Sequence, residues 1–202
     1  MIWKYLVLCF IGYGIGSLNS SILVSKLYKK DVRNEGSKNA GLTNTLRVLG
    51  KKAAIMVLVM DILKGVLATG IGYLVIQDSD HGAIISGLFT VIGHIFPVFF
   101  GFKGGKGILI SLSVLFCCDY RIALIGLGVF ILIVAATKYV SLGSIIGMIL
   151  APFMSVVFRH DLFFIICMCV LCILTIFMHR GNIKRLIESS ENKLSFKKKG
   201  DQ

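Results

Sequence analysis

Read as apolar and polar positions, the chain is a succession of greasy runs with short polar breaks. The runs cover about 4–25, 53–76, 83–101, 107–118, 122–137, 140–158 and 162–178. A run of roughly 20 apolar residues crosses the hydrocarbon core of a bilayer as a helix. None of these alternates apolar with polar at a period of two, as a membrane barrel strand would. The pattern predicts an all-α membrane protein of seven transmembrane helices, one domain over residues 1–202. Two spans are short, because only 31 residues between Lys106 and Lys138 must cross twice. Residues 107–118 reach roughly 18 Å as a helix, against a core of about 30 Å. A loop drawn below the membrane surface makes up such a shortfall, provided it is buried in protein or lines a wet cavity.

Composition and charge sharpen this picture. Hydrophobic residues make up 56% of the chain, more than a soluble domain of this size carries. The net charge of +12 could suggest nucleic acid, but its placement argues otherwise. Eighteen of the 22 Lys and Arg fall in alternate loops on one side, three on the other, and Lys64 within a span. By the positive-inside rule the N-terminus is outside. The 26–52 loop, the glycine-lysine loop around Lys106 and the basic tail of 184–202 are then cytoplasmic. The first run has only Lys4 as a charged flank and many spans after it, so it is expected to stay as a span.

Within the runs, Gly12 and Gly16 form a small-xxx-small pair suited to close helix packing. Ser17, Asn19, Ser20 and Ser21 face either another helix or a cytoplasmic pocket. Asp61 and Lys64, three apart, share a helix face and can pair. Cys169 and Cys172 have C-x-x-C spacing, but no histidine lies within a helical turn of them, so they read as small hydrophobes.

Three polar clusters fall on the side assigned to the cytoplasm. The first, DVRNEGSKNAGLTNTLR from Asp31 to Arg47, offers Ser37, Asn39, Gly41, Thr43 and Asn44 between Arg33 and Arg47. Arginine suits bidentate phosphate recognition. The second, GHIFPVFFGFKGGKG from Gly93 to Gly107, holds His94, Lys103, Gly104, Gly105, Lys106 and Gly107. It is one residue short of a P-loop and lacks the closing hydroxyl, yet glycines let backbone N–H groups converge on an anion. The third joins Ser141 and Ser144 to the segment His179–Glu191. There His179 can shuttle a proton and Asn182 can orient a substrate hydroxyl. Carboxylates on this side are few, so neither a metal site nor a cofactor is expected. No Asp precedes a Gly and no His-x₄-Asp occurs, which excludes two other phospholipid-enzyme signatures. A basic pocket between helices could also serve a transporter, although the two halves show no self-similarity.

Taken together, GSLNSSILVSK, DVRNEGSKNAGLTNTLRVLGKK, DILKG, GHIFPVFFGFKGGKG, SLGSI and HRGNIKRL resemble the bacterial integral-membrane glycerol-3-phosphate acyltransferases that use acyl phosphate, the PlsY family. The resemblance implies acyl transfer from a fatty acyl phosphate to the sn-1 hydroxyl of glycerol 3-phosphate at the cytoplasmic face of the inner membrane. Lysophosphatidic acid and inorganic phosphate are the implied products. The substrates, membrane lipid and the soluble enzyme that supplies acyl phosphate are the expected partners. It places functional positions at Ser37, Arg47, Lys106, Ser141, His179 and Asn182, and a phosphate loop at Gly104, Gly105 and Gly107. Asn39, Gly41, Thr43, Asn44, His94, Lys103 and Glu191 complete the candidate substrate-binding set. Lys38, Leu42 and Ser189 depart from the family's usual glycine, alanine and glycine. A positive φ at residue 38 would strain Lys38 by about 1 kcal/mol.

Overall fold

The computed structural model describes residues 2–77 and 80–194. Lys197, Lys198 and Lys199 of the expected basic tail lie outside the described residues. Among the described residues every regular element is helical. The order is α1 (Ile2–Ser17), α2 (Ser20–Leu27), α3 (Leu42–Leu49), α4 (Lys51–Val75) and α5 (His81–Ile95), then a single 3₁₀ turn at Val98–Phe100. There follow α6 (Ile108–Cys118), α7 (Tyr120–Thr137), α8 (Val140–Val157), α9 (Leu162–Met178) and α10 (Arg180–Ile187).

Among the described residues, five segments are long and apolar enough to cross a membrane: Ile2–Leu27, Lys51–Val75, His81–Phe100, Tyr120–Thr137 and Val140–Val157. α9 with α10 makes a sixth only if counted across a 57° bend. The expected seven therefore do not all stand out by length. α6 has 11 residues, and α9 ends where the chain turns at His179. Polar residues set several helix starts. Asn19, Asp119 and Asp161 accept the backbone N–H of Ile22, Arg121 and Phe164 at 3.1, 2.9 and 2.9 Å, capping α2, α7 and α9.

Glycines decide the closest helix contact. A Cβ on Gly16 would lie 2.0 Å from the Thr90 carbonyl oxygen, and one on Gly12 would lie 2.3 Å from that of Ser86. α1 and α5 thus touch backbone to backbone, the role that spacing predicts. Between α1 and α2 the serines turn inward rather than toward a pocket. Ser17, Ser20 and Ser21 are fully buried, and Ser20 Oγ donates to Asp61 Oδ1 at 2.6 Å. Asp61 and Lys64 do pair, at 2.9 Å. Cys169 and Cys172 are free thiols on α9. The main apolar core gathers Val91, Ile110, Val114, Met168 and Leu171 from α5, α6 and α9.

Alternate turns meet at opposite ends. At one end the α6–α7 and α8–α9 turns join, with His160 Nε2 2.8 Å from Asp119 Oδ2 and His81 paired with Asp161. At the other end Lys106, Asn182, Ser141 and Glu191 join the α5–α6 loop, the α7–α8 turn and the chain after α9.

Gly16→Ala forces a methyl into the backbone of α5 and should lower the thermal unfolding midpoint by an amount equivalent to about 1–3 kcal/mol. Gly14→Ala, where a Cβ meets nothing within 4 Å, should leave the midpoint nearly unchanged. Thermal unfolding of both variants in detergent checks this.

Candidate active site

The end that gathers Lys106 and Asn182 surrounds a cavity of about 810 Å³. Its polar mouth is built by four separate stretches of chain. The Gly101–Gly107 loop supplies Lys106, whose Nζ donates to Asn182 Oδ1. Asn182 stands on α10, one turn past the bend, and its Nδ2 donates to Glu191 Oε1 at 2.6 Å. Ser141 Oγ, in the first turn of α8, donates to the same oxygen at 2.9 Å. Arg185 Nε binds Glu191 Oε2 at 2.7 Å. Glu191 is therefore a hub, brought in because the chain after α10 turns back and Leu194 N–H bonds the Lys138 carbonyl at 2.8 Å.

Position within this cluster tunes its charges. Burial pushes the Lys106 ammonium down to about 8; Glu191 opposes the shift and Arg185 adds to it. His179, buried just past the end of α9, is pushed down to about 4, mainly by burial and then by Lys106. Its Nδ1–H donates to the Thr175 carbonyl at 2.8 Å, which leaves the Nε2 lone pair free. Burial alone would raise the Glu191 carboxyl. The hydrogen bonds from Asn182, Arg185 and Ser141 outweigh it and hold the group below its usual value.

Most of the expected residues converge here. Ser37, Asn39, Gly41, Thr43 and Arg47 line the mouth from the other side, and Arg47 points into it from α3 without an ion-pair partner among the described residues. His94 and Gly107 line the wall.

Lys103, Gly104 and Gly105 do not line the cavity. The N–H groups of Gly104 and Gly105, expected to hold an anion, instead bond the Ile95 and His94 carbonyls, each at 3.1 Å. These glycines cap α5. A Cβ on Gly104 would lie 2.0 Å from the His94 oxygen, and one on Gly105 would lie 2.2 Å from His94 Nε2. Gly107 takes a left-handed φ of 79° to start α6.

Asn44 borders the cavity, but its amide is spent on structure. Its Oδ1 accepts Ser37 N–H at 2.8 Å, and its Nδ2 donates to the Val32 and Glu35 carbonyls at 2.8 and 3.1 Å. Arg33 is likewise engaged, by Asp31 and the Phe100 carbonyl. Lys38 adopts φ of 57° and Ser189 φ of 55°, so both departures from glycine sit in left-handed backbone. Arg185 is a residue the sequence reading passed over. It lies one helical turn beyond Asn182 in HRGNIKRL, a spacing that puts both on one face.

Beyond the mouth the cavity continues as an apolar arm between α6, α7 and α8, lined by Leu112, Phe116, Leu127, Phe130 and Met148. Gly126 and Gly147 face each other across α7 and α8 in its wall.

A multi-pass helical membrane protein in which one cavity joins a cationic mouth to an apolar arm is the class these features define. The profile of the family described as glycerol-3-phosphate acyltransferase matches residues 6–189. The glycerol-3-phosphate acyltransferase of Finegoldia magna is 44% identical over 95% of this chain and 98% of its own. That of Thermoanaerobacter pseudethanolicus is 44% identical over 93% and 94%. Two crystal structures superpose closely. PlsY, an integral membrane glycerol 3-phosphate acyltransferase, matches in its glycerol 3-phosphate form with TM-score 0.89 and 37% identity, covering 95% of this chain and 96% of that one. Its lysophosphatidic acid form matches with TM-score 0.86 and 36% identity, covering 95% of each chain. The chain belongs to the glycerol-3-phosphate acyltransferase family of PlsY type.

Asn44→Ala leaves the Ser37 N–H and the Val32 carbonyl without partners and removes one of the two bonds to the Glu35 carbonyl, at a cost of about 1–3 kcal/mol. Trypsin should then cut after Lys38 about tenfold faster or more. Thr43→Ala, which removes no such bond, should be cut at the native rate in the same digestion.

Proposed function

We propose that this chain transfers a fatty acyl group from acyl phosphate to the sn-1 hydroxyl of glycerol 3-phosphate, giving lysophosphatidic acid and inorganic phosphate. The observation that carries this reading is the single cavity with two natures. Lys106, Arg47 and Arg185 border one end, and the apolar arm of α6, α7 and α8 forms the other. A fatty acyl phosphate has the same two natures in the same order. The solved relative, PlsY, is known in a glycerol 3-phosphate form and a lysophosphatidic acid form, the acceptor and the product of this reaction.

The hydroxyl oxygen attacks the acyl carbonyl carbon, the carbon–oxygen bond to phosphate breaks, and phosphate leaves with the electron pair. Acyl phosphate is an activated donor, so no covalent enzyme intermediate is needed. Lys106 faces the charge that develops on the leaving phosphate. Arg47 and Ser37 receive phosphate oxygens from the opposite wall. Glu191 locks Asn182 and Ser141, and Asn182 in turn locks Lys106, so the mouth is preorganised before substrate arrives. His179 offers an Nε2 lone pair to the attacking hydroxyl. An imidazole held near 4 is too weak a base to drive the transfer, so a substrate phosphate takes the proton and His179 positions the hydroxyl.

In this reading residues 1–202 form one domain with seven crossings, made by α1 with α2, then α4, α5, α6, α7, α8 and α9. The N-terminus lies outside. The mouth opens at the cytoplasmic face of a bacterial inner membrane, where a soluble enzyme supplies acyl phosphate. The site draws on every second loop, which that topology requires.

Purified protein given glycerol 3-phosphate and acyl phosphate should release inorganic phosphate, and acyl-CoA or acyl carrier protein should not replace the donor. Equal turnover with acyl-CoA would overturn the donor assignment. Lys106→Ala should lower the rate about 10²–10³-fold.

The pH profile separates the roles further. Lys106 is charged below about 8, so kcat/KM should fall as pH rises through that value. Lys106→Arg should move that limb upward, because a guanidinium stays charged. His179→Gln should keep partial activity and leave the acid limb of the profile unchanged, whereas a histidine base would take a limb near pH 4 with it.

A further inference from the structure

A second imidazole borders the cavity. His94 lies in the last turn of α5, buried, and its Nδ1 has no hydrogen-bond partner among the described residues. That nitrogen faces Asp61 Oδ1 of α4 at 3.9 Å. Asp61 is itself buried, and both side chains line the cavity. Ser20 and Lys64 account for the burial of the carboxylate. They do not account for an unpartnered histidine nitrogen aimed at it.

A gap of 3.9 Å is beyond a hydrogen bond, but it is short for a charge. The carboxylate favours the tautomer whose N–H faces it, so Nδ1 carries the proton and Nε2 the lone pair. Nε2 lies beside Gly105, where a built Cβ would come within 2.2 Å of it, and His94 and Lys106, the residue after that glycine, both line the cavity. His179 is arranged in the same way, with Nδ1–H on the Thr175 carbonyl and Nε2 free. Two neutral imidazoles each offer one acceptor to a single cavity. Glycerol 3-phosphate carries two hydroxyls beside its phosphate.

We propose that His94, oriented by Asp61, accepts the hydrogen bond of the sn-2 hydroxyl and makes the site specific for a glycerol backbone, while His179 takes the sn-1 hydroxyl. This rests on the acyltransferase reading. His94 is then a specificity-determining residue, and Asp61 a positioning residue that acts through it.

The test compares glycerol 3-phosphate with 3-hydroxypropyl phosphate, which keeps the phosphate and primary hydroxyl and lacks only the sn-2 hydroxyl. Sites that bond a substrate hydroxyl reject the analogue without it by large factors, so native kcat/KM should favour glycerol 3-phosphate by about 10³ or more. His94→Phe keeps ring volume and removes both nitrogens. Its preference should fall below about tenfold, through loss of glycerol 3-phosphate turnover with the analogue still used. Asp61→Asn should shift the ratio the same way by a smaller factor. A variant that merely disturbs packing lowers both substrates together and leaves the ratio intact. A native ratio under about threefold overturns the proposal without any variant, and so does a native-like ratio in either folded variant. No turnover of either alcohol by the native protein would remove the acyltransferase reading, and this proposal with it.

Discussion

Two hydrogen bonds, from Gly104 and Gly105 to the carbonyls of Ile95 and His94, hold the working end of this protein in place. A helix leaves its last carbonyls unpaired, and away from water such groups are costly. The loop after α5 answers that cost by turning straight back onto the helix end. No side chain fits there, since Cβ atoms at both positions would strike His94. The same turn delivers Lys106 into the cavity rather than onto the surface. Burial then lowers its proton affinity, while Asn182 fixes where its ammonium sits. The glycines shape the cavity through the lysine they place.

Glu191 is the counterpart on the far wall. It gathers Ser141, Asn182 and Arg185, which come from α8 and α10, and ties the chain after α10 to the mouth. A single buried carboxylate among several cations would be costly if left bare. Three hydrogen bonds offset that cost and keep the group ionised. The chain linking Lys106 to Asn182 to Glu191 means that the charge pattern of the mouth depends on a residue beyond the end of α10.

Periodicity and charge made the helices and their alternation legible, since greasy runs and clustered lysines are local properties. Gly12 and Gly16 were legible for the same reason, because a spacing of four defines a helix face. Arg185 could be found from HRGNIKRL by helical spacing, yet nothing local said that Glu191 would fold back to meet it. The role of Asn44 was equally hidden. An asparagine in a polar loop reads as a ligand, and only the fold shows Ser37, Val32 and Glu35 using up its amide. The glycine-lysine loop was ambiguous for the opposite reason. Its composition fits an anion cradle and a helix cap equally well, and the choice rests on where α5 ends. The pairing of Asp61 with His94 spans two helices and had no signature at all.

The short α6 follows from the same loop. Eleven residues give roughly 16 Å of helix, well under the thickness of a hydrocarbon core. In the proposed seven-span reading the segment 101–107 makes up the difference as irregular backbone, whose Gly104 and Gly105 N–H groups are paired by the end of α5. A full-length helix here would carry Lys106 out to the surface and separate it from the arm beside Leu112 and Phe116. Shortening α6 keeps the cation and the apolar arm in one continuous space. On the proposed acyl-transfer reading, a substrate with a charged head joined to a fatty tail needs both at once, and the short helix is the one that makes the cavity fit for it.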